Sequence, residues 1–303
     1  MQKITPFLWF DNQAEEAVEF YKSVFKNSYG GESTHYSEAG AEVAGKPKGS
    51  VMTVPFQLYG QDFVALNGGP LFKFNPSVSF FMNCKTADEV ENLWNKLSEG
   101  GTALMPLDKY HFSEKYGWIQ DKYGVSWQII VSAGAIEQKI VPSLLFVGKV
   151  CGRAEEAANF YKSIFGKSKI LNAFRYAANQ EPDEEGTIAF MDFKLEDQIF
   201  AAMDSAHSHN FTFTEAISFV VNCESQNDID YFWEKLSEGG DPEAQQCGWL
   251  KDKFGFSWQI VPFTELEKLL GNSDPEKSNR AFAAMMEMKK LDIEKLRKAA
   301  HHK

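Results

Sequence analysis

The chain has 303 residues, a formal net charge of −11, 44% hydrophobic residues, 26 Phe and 7 Trp. This length and apolar content suit two packed domains. The acidic balance, with no basic stretch longer than two residues, argues against nucleic-acid and anionic-membrane partners. No run approaches the ~18 apolar residues of a membrane span, and no charged n-region with an apolar h-region precedes the first strand, so a soluble, cytoplasmic protein is expected.

ITPFLWF at 4–10 reads as a buried, aromatic-rich strand. Asp11 or Asn12 then caps a helix whose apolar residues Ala14, Ala17, Val18, Tyr21, Val24 and Phe25 keep the i, i+3, i+4, i+7 spacing of one face. Strands are expected at 29–37, 51–58 and 61–67, the last two joined through Tyr59-Gly60-Gln61-Asp62, with a Gly- and Ala-rich loop over 38–50. VSFFMN at 78–83 restarts the same order. A helix, ADEVENLWNKL, ends at Gly100-Gly101, and strands follow near 103–107, 116–120 and 125–131. Residues 1–134 thus hold two βαβββ units.

The chain then repeats itself. AEEAVEFYKSVF (14–25) returns as AEEAANFYKSIF (154–165), and SFFMNC (79–84) as SFVVNC (218–223). WNKLSEGG (94–101) returns as WEKLSEGG (233–240), and GWIQDKYGVSWQII (117–130) as GWLKDKFGFSWQIV (248–261). Matches in the same order and at this distance signify duplication of a whole domain, 139–263, rather than a short solenoid repeat. Its strands are expected at 141–147, 170–176, 187–195, 198–203, 217–222, 247–251 and 256–262, with helices at 153–165 and 226–236. Two differences stand out: Phe10-to-Ala14 lengthens to Phe146-to-Ala154, and Gly101-to-Gly117 shrinks to Gly240-to-Gly248.

Residues 264–303 form a tail outside the repeat. Asp274-Pro275-Glu276 is a helix start, and Met285, Met286, Met288, Leu291, Ile293 and Leu296 make the following stretch amphipathic. Two readings stay open: a helix packed back on its own chain, or an arm that joins a second protomer into a homodimer, since Met-rich faces adapt readily to partners. Of the four cysteines, none in a CxxC pair, Cys84 and Cys223 are repeat equivalents and read as buried structural thiols in a reducing compartment.

The motifs PFLWF…AEEAVEFYKSVF, FVALNGG, FNPSVSFFMNC and DKYGVSWQI, with their second copies, resemble the vicinal oxygen chelate superfamily. That superfamily includes glyoxalase I, bleomycin-resistance proteins and extradiol dioxygenases. More narrowly the chain is similar to the PhnB-like branch, many of whose members carry the name 3-demethylubiquinone-9 3-methyltransferase. The resemblance implies an α+β fold of two tandem modules, each of two βαβββ units forming an eight-stranded, U-shaped mixed sheet. Their packing would mimic the homodimer of single-module relatives. It also implies sites in the concave face, with metal ligands from the first, fourth, fifth and eighth strands. Carried across, those positions are Thr5, Asn67, Ser77 and Gln128 in repeat one, and Val141, Asp204, Ala216 and Gln259 in repeat two. DKYGVSWQ and DKFGFSWQ match the family's D-x-x-G-x-x-x-E pattern with Gln in place of Glu.

Divalent-ion sites need imidazoles or anionic oxygens, so this set predicts no metal centre and no cofactor. Gln128 cannot replace an ionised Glu as general base. In a period-2 strand it lies opposite Trp127, facing the concavity, where it can hydrogen-bond a ligand. Methyl transfer needs a cofactor pocket, usually a Gly-rich turn between strand and helix of a parallel sheet. The glycine pairs at 30–31, 68–69, 100–101 and 239–240 do not form one.

Further candidates are Trp9, Phe72, Phe74 and Trp118 with their counterparts Phe211, Phe213 and Trp249, either an aromatic pocket wall or core at strand spacing. His207 and His209 form an HxH, a candidate half of a metal site that repeat one lacks and that no cluster completes, and Cys247 is a candidate thiol with no adjacent cation in sequence. Glu15, Glu16, Glu155 and Glu156 lie in first turns of helices, where they complement the helix dipole. The resulting expectation is a metal-independent protein that holds an unidentified small, partly aromatic molecule. The alternatives are a lyase, isomerase or dioxygenase with a nonstandard metal site around Asp204, His209 and Gln259, or an interaction protein using its acidic surface and tail.

Overall fold

The expected βαβββ order is present in a computed structural model of the protein, which describes residues 2–271 and 274–301. The first half of repeat one comprises β1 (Ile4–Phe10), α1 (Ala14–Val24), β2 (Ser28–Gly30), β3 (Thr34–His35), α2 (Glu38–Ala44), β4 (Val51–Leu58) and β5 (Gln61–Asn67). Its second half comprises β6 (Val78–Cys84), α3 (Ala87–Leu97), β7 (Thr102–Tyr110), β8 (Ser113–Gln120) and β9 (Ser126–Val131). Repeat two runs through β10 (Ile140–Val147), α4 (Ala154–Ile164), β11 (Lys169–Arg175), β12 (Ile188–Leu195) and β13 (Gln198–Ser205). It continues with β14 (Ile217–Asn222), α5 (Gln226–Ser237), β15 (Asp241–Gln246), β16 (Trp249–Lys251) and β17 (Ser257–Val261). The tail forms α6 (Phe263–Leu270), α7 (Pro275–Met286) and α8 (Ile293–His301); its residues Asn272, Ser273, His302 and Lys303 lie outside the described residues.

Three local expectations change. The strand expected at 29–37 breaks into β2 and β3. The loop expected at 38–50 contains α2, because Ser37 Oγ accepts from Gly40 N at 3.3 Å and Gly45, at φ 62°, closes the other end in the left-handed conformation. The short stretch after Gly240 still pairs, as β15.

Sheet and sequence repeat do not coincide. One sheet has the order β15-β16-β17-β14-β1-β5-β4-β2, with β3 also on β4; the other is β11-β12-β13-β10-β6-β9-β8-β7. Each therefore joins the first half of one repeat to the second half of the other. The linker after β9 is short and delivers β10 antiparallel to β6, with Pro142 opposite Phe80 and Asn83 N bonded to Lys139 O at 2.9 Å. That occupies the free edge of β6, and β1 instead takes β14, Pro6 opposite Phe219. Two compact units result: unit one is residues 1–20, 28–73 and 214–303, and unit two is residues 21–27 and 74–213.

In both units one sheet face carries helices and the core. In unit two, Trp127 and Phe80 are buried beneath α3 and the end of α1, where the Tyr21 and Phe25 rings lie 5.6 and 4.8 Å from Trp127. Gly117 lets α3 approach: a Cβ there would stand 2.4 Å from the Trp94 ring. In unit one, Trp258, Phe219 and Phe256 cluster on the helix side, and α5 buries Ile229, Phe232 and Leu236. The DKxGxSW motif is a folding device. Asp121 accepts Tyr123 N and Val125 N on one oxygen, and Trp127 Nε1 (2.9 Å) and Tyr21 OH (2.8 Å) on the other. Asp252 likewise accepts Phe254 N, Phe256 N and Trp258 Nε1. Gly124 and Gly255, at φ 92° and 82°, make each turn.

The tail packs on unit one. Leu269, Ala281, Leu296 and Ala300 form its own core, bordered by Met285 and Met288. Leu291, in the α7–α8 link, is fully buried against Val220 and Val261. Of the two sequence readings of the tail, these contacts belong to the one packed back on its own chain. Among the described residues no helix is long and apolar enough to cross a membrane.

Candidate functional site

The face turned away from α1, α3, α4 and α5 is the inner face of each sheet, and parity along each strand selects its residues. In unit two, cross-strand registers align Ser143, Ser79 and Ser126 in one row, and Val141, Phe81, Gln128 and Trp118 in the next. Gln128 is buried and locked. Its Oε1 accepts from Tyr116 OH at 2.6 Å and its Nε2 donates to Ser79 Oγ at 2.8 Å. Burial pushes the Tyr116 phenol well above its ordinary value, so it remains a donor. Trp118 Nε1 donates to Ser126 Oγ at 2.7 Å. Ser143 Oγ is buried without a hydrogen-bond partner.

Around this neutral floor, Phe81, Tyr116, Val141, Ile199 and Ala201 form a buried cluster. Met105, Tyr110, Trp118, Ile130, Phe190 and Met203 stand half-buried at its border. Phe112 and Phe174, on the same edge strands and their loop, are 51% and 61% exposed.

The carried-over positions regroup because the half-repeats exchange. Thr5 and Asn67 lie in unit one with Ala216 and Gln259; Ser77 and Gln128 lie in unit two with Val141 and Asp204. The groupings expected within each repeat are thereby corrected. Asn67 and Asp204 prove to be remote helix caps. Asn67 Oδ1 accepts Ala14 N at 2.9 Å, while its Nδ2 donates to Glu15 Oε2 and Val51 O. Asp204 accepts Ala154 N on one oxygen at 3.1 Å and Ile188 N on the other at 3.0 Å, supplying the cap that Arg153 does not. Ser77 Oγ donates to Thr212 O, Thr5 Oγ1 accepts from Asn222 Nδ2, and Gln259 Nε2 donates to Ser218 Oγ.

The aromatic candidates divide. Trp9 and Trp249 meet edge-on at 6.1 Å on the inner face of unit one, and Phe72 packs on Trp9 at 5.0 Å. Phe74 lies over Gly124. Phe213 is core, 5% exposed and edge-on to Phe146, rather than pocket wall. Cys247 touches Met286 Sδ at 3.4 Å, and burial pushes its thiol up, away from a reactive thiolate. Cys84 and Cys223 are buried and pushed to about 12.

At one end of β13, His209 Nε2 is 2.9 Å from Ser205 Oγ, and burial with neighbouring His207 lowers the His209 pKa. His207 faces Asp183 at 3.7 Å. Among the described residues no three His, Cys, Asp or Glu side chains are placed to hold a metal ion. The donor set does not fit the superfamily's metal: Asp204 is spent on backbone N–H groups, Gln128 on Tyr116 and Ser79, and Val141 and Ala216 have no donor atom.

The sequence search missed Ser143, Ser79 and the hydrogen bond from Tyr116. Alignment of ITPFLWF with IVPSLLF holds the signal, since Phe7 becomes Ser143 and Trp9 becomes Leu145.

The family model for 3-demethylubiquinone-9 3-methyltransferase matches residues 2–130 and again 138–261. A PhnB protein from Bacillus cereus bearing that name is 41% identical over 43% of this chain and 100% of its own, with a TM-score of 0.40. A protein from Pseudomonas aeruginosa is 22% identical over 44% of this chain and 98% of its own, with a TM-score of 0.37. Glyoxalase I from Zea mays is 11% identical over 86% of this chain and 92% of its own, with a TM-score of 0.51, a likeness of fold alone. No curated protein sequence matches the chain. Matched in both repeats along most of its length, the chain belongs to the 3-demethylubiquinone-9 3-methyltransferase family, whose PhnB-like module it carries twice on the vicinal oxygen chelate fold.

Proposed function

We propose that the protein binds one small, uncharged, partly aromatic molecule on the inner face of unit two, without the superfamily's metal. The observation that carries this is the neutral floor, Gln128 held by Tyr116 and Ser79 beside the unpartnered Ser143 hydroxyl, under a half-buried apolar rim. Mostly apolar walls with a few fixed polar groups are the usual composition of a small-molecule site. Gln128 has no ionisable group, and the Tyr116 phenol is held protonated, so this floor binds rather than transfers protons.

A metal-dependent lyase, isomerase or dioxygenase around Asp204, His209 and Gln259 has less support, because Asp204 is committed to α4 and Gln259 belongs to the sheet of unit one. Methyl transfer has less still. Of the glycine pairs, Gly68 makes room for Trp9, whose ring a Cβ would meet at 2.1 Å. Gly100-Gly101 and Gly239-Gly240 end α3 and α5, with Gly100 and Gly239 at φ 72° and 70°.

The test is fluorescence titration of the full chain with N-phenyl-1-naphthylamine, a neutral aromatic probe. Saturable binding of one equivalent is expected, and Ser143→Trp, whose ring fills the floor, is expected to abolish it. Binding unchanged in a folded Ser143→Trp protein would overturn the assignment.

A further inference from the structure

We infer that the C-terminal tail is a tethered occupant of a second ligand site, the inner face of unit one, which accepts a neutral aromatic molecule when the tail is displaced. Only the class of ligand rests on the reading of unit two. The tail's place on unit one is independent of it.

The inner face of unit one has the makings of a site. Thr5, Ser218 and Gln259 give it a neutral polar floor. Phe7, Trp9 and Trp249 give it aromatic walls, with ring centroids 5.9 and 6.1 Å from Trp249. Ser257 Oγ is buried there without a partner, the same kind of orphan that Ser143 supplies in unit two. A buried hydroxyl left unpaired costs stability that a bound group can recover.

What covers this face is the tail. Leu291 lies buried on Val220 and Val261, the inner-face neighbours of Gln259, with Met285, Met288 and Phe7 alongside. The tail backbone is clipped to the adjoining hairpin: Cys247 N donates to Met288 O at 2.7 Å and Gly248 N to Lys289 O at 2.8 Å. Gln226 holds it from another side, donating to Leu291 O at 3.1 Å and accepting from Ile293 N at 3.0 Å. Gly248, at φ 86°, lies under the plug: a Cβ there would stand 3.0 Å from Ile260 O and 3.2 Å from Leu291 Cδ1. Farther along, Phe282 of α7 rests on Gly40 of α2, 3.3 Å from where a Cβ would be.

Two sequence differences between the repeats thus compensate each other. The β15–β16 hairpin is cut back relative to β7–β8, and the added tail docks on the shortened end, at Cys247 and Gly248. Tyr116, which fixes Gln128 in unit two, has Cys247 as its counterpart, in contact with Met286. Unit two keeps the full hairpin, and its apolar rim stays half-exposed.

The experiment is titration of the full chain with N-phenyl-1-naphthylamine, counting equivalents. Wild type is expected to bind one and Leu291→Asp two. In the Ser143→Trp background the numbers become none and one. Gln226→Ala, a milder change that removes both tail bonds and leaves the core intact, is expected to show the added equivalent at weaker affinity. Adding Val220→Trp to Leu291→Asp should remove it. No added equivalent in either tail variant would overturn the inference. So would an added equivalent that survives Val220→Trp, because the probe would then be reporting exposed tail. If wild type binds none while Leu291→Asp binds one, the tail inference stands and the reading of unit two falls.

Discussion

Asp204 stands at a metal-ligand position of the superfamily and accepts hydrogen bonds from backbone N–H groups. It sits at the end of β13 and caps a helix that begins fifty residues earlier in the chain, at Ala154. Burial pushes its carboxyl above the ordinary value, against the pull of N–H groups from Ile188, Ala154, Gly152 and Arg153. A carboxyl raised in the folded state stabilises the fold in its protonated form. That contribution is complete below the unfolded pKa of about 3.9 and is lost as pH rises through the folded value. Asp204→Asn, which installs the residue repeat one uses at Asn67, is expected to keep the cap of α4 and to flatten this slope. Urea midpoints measured across the acidic range check it; equal slopes in both proteins would refute the assignment. The sequence does not separate ligand from cap here, because an Asp or Asn at a strand end is suited to either and its partner N–H groups are remote in the chain.

Among the elements, α3 and β8 meet in a close fit. Gly117 is a flat spot on which the Trp94 ring lies. Gly117→Ala is expected to destabilise unit two by about 1–3 kcal/mol, the usual cost of overfilling a packed core. Trp94→Leu in the same chain should return part of the loss; the pair of urea unfolding curves decides, and additive losses would show that the two positions do not touch. Helices and strands were legible because their periods are strong: Ala17, Val18, Tyr21 and Phe25 on one face, Trp127 and Ile129 alternating with Gln128. The DKxGxSW motif is legible as a signature, but the bonds its Asp makes to the turn and the Trp are not. α2 escaped notice because Gly and Ala content hides the cap pair Ser37 and Gly45.

At the scale of the whole molecule, the repeat was plain and the exchange of halves was not. SFFMNC and SFVVNC are close enough in sequence that β1 has no local reason to prefer β14 over β6. The short linker after β9 places β10 on β6, which leaves β14 for β1. A fragment of residues 1–134 is therefore expected to complete its sheets only by pairing β1 of one copy with β6 of another. Light scattering should give twice the fragment's mass, and a stable, folded monomer would contradict the exchange.

The exchange also imposes an order in time. At roughly 5–20 residues per second of synthesis, β1 leaves the ribosome early, yet its antiparallel neighbour β14 lies about two hundred residues later, Ile4 meeting Val221. Unit two, a nearly continuous stretch from 74 to 213, can close first. Ile4, Leu8 and Phe10, all buried in the finished protein, must wait with one flank of their strand unpaired. For this chain the nascent first strand therefore keeps an open edge until β14 has been made.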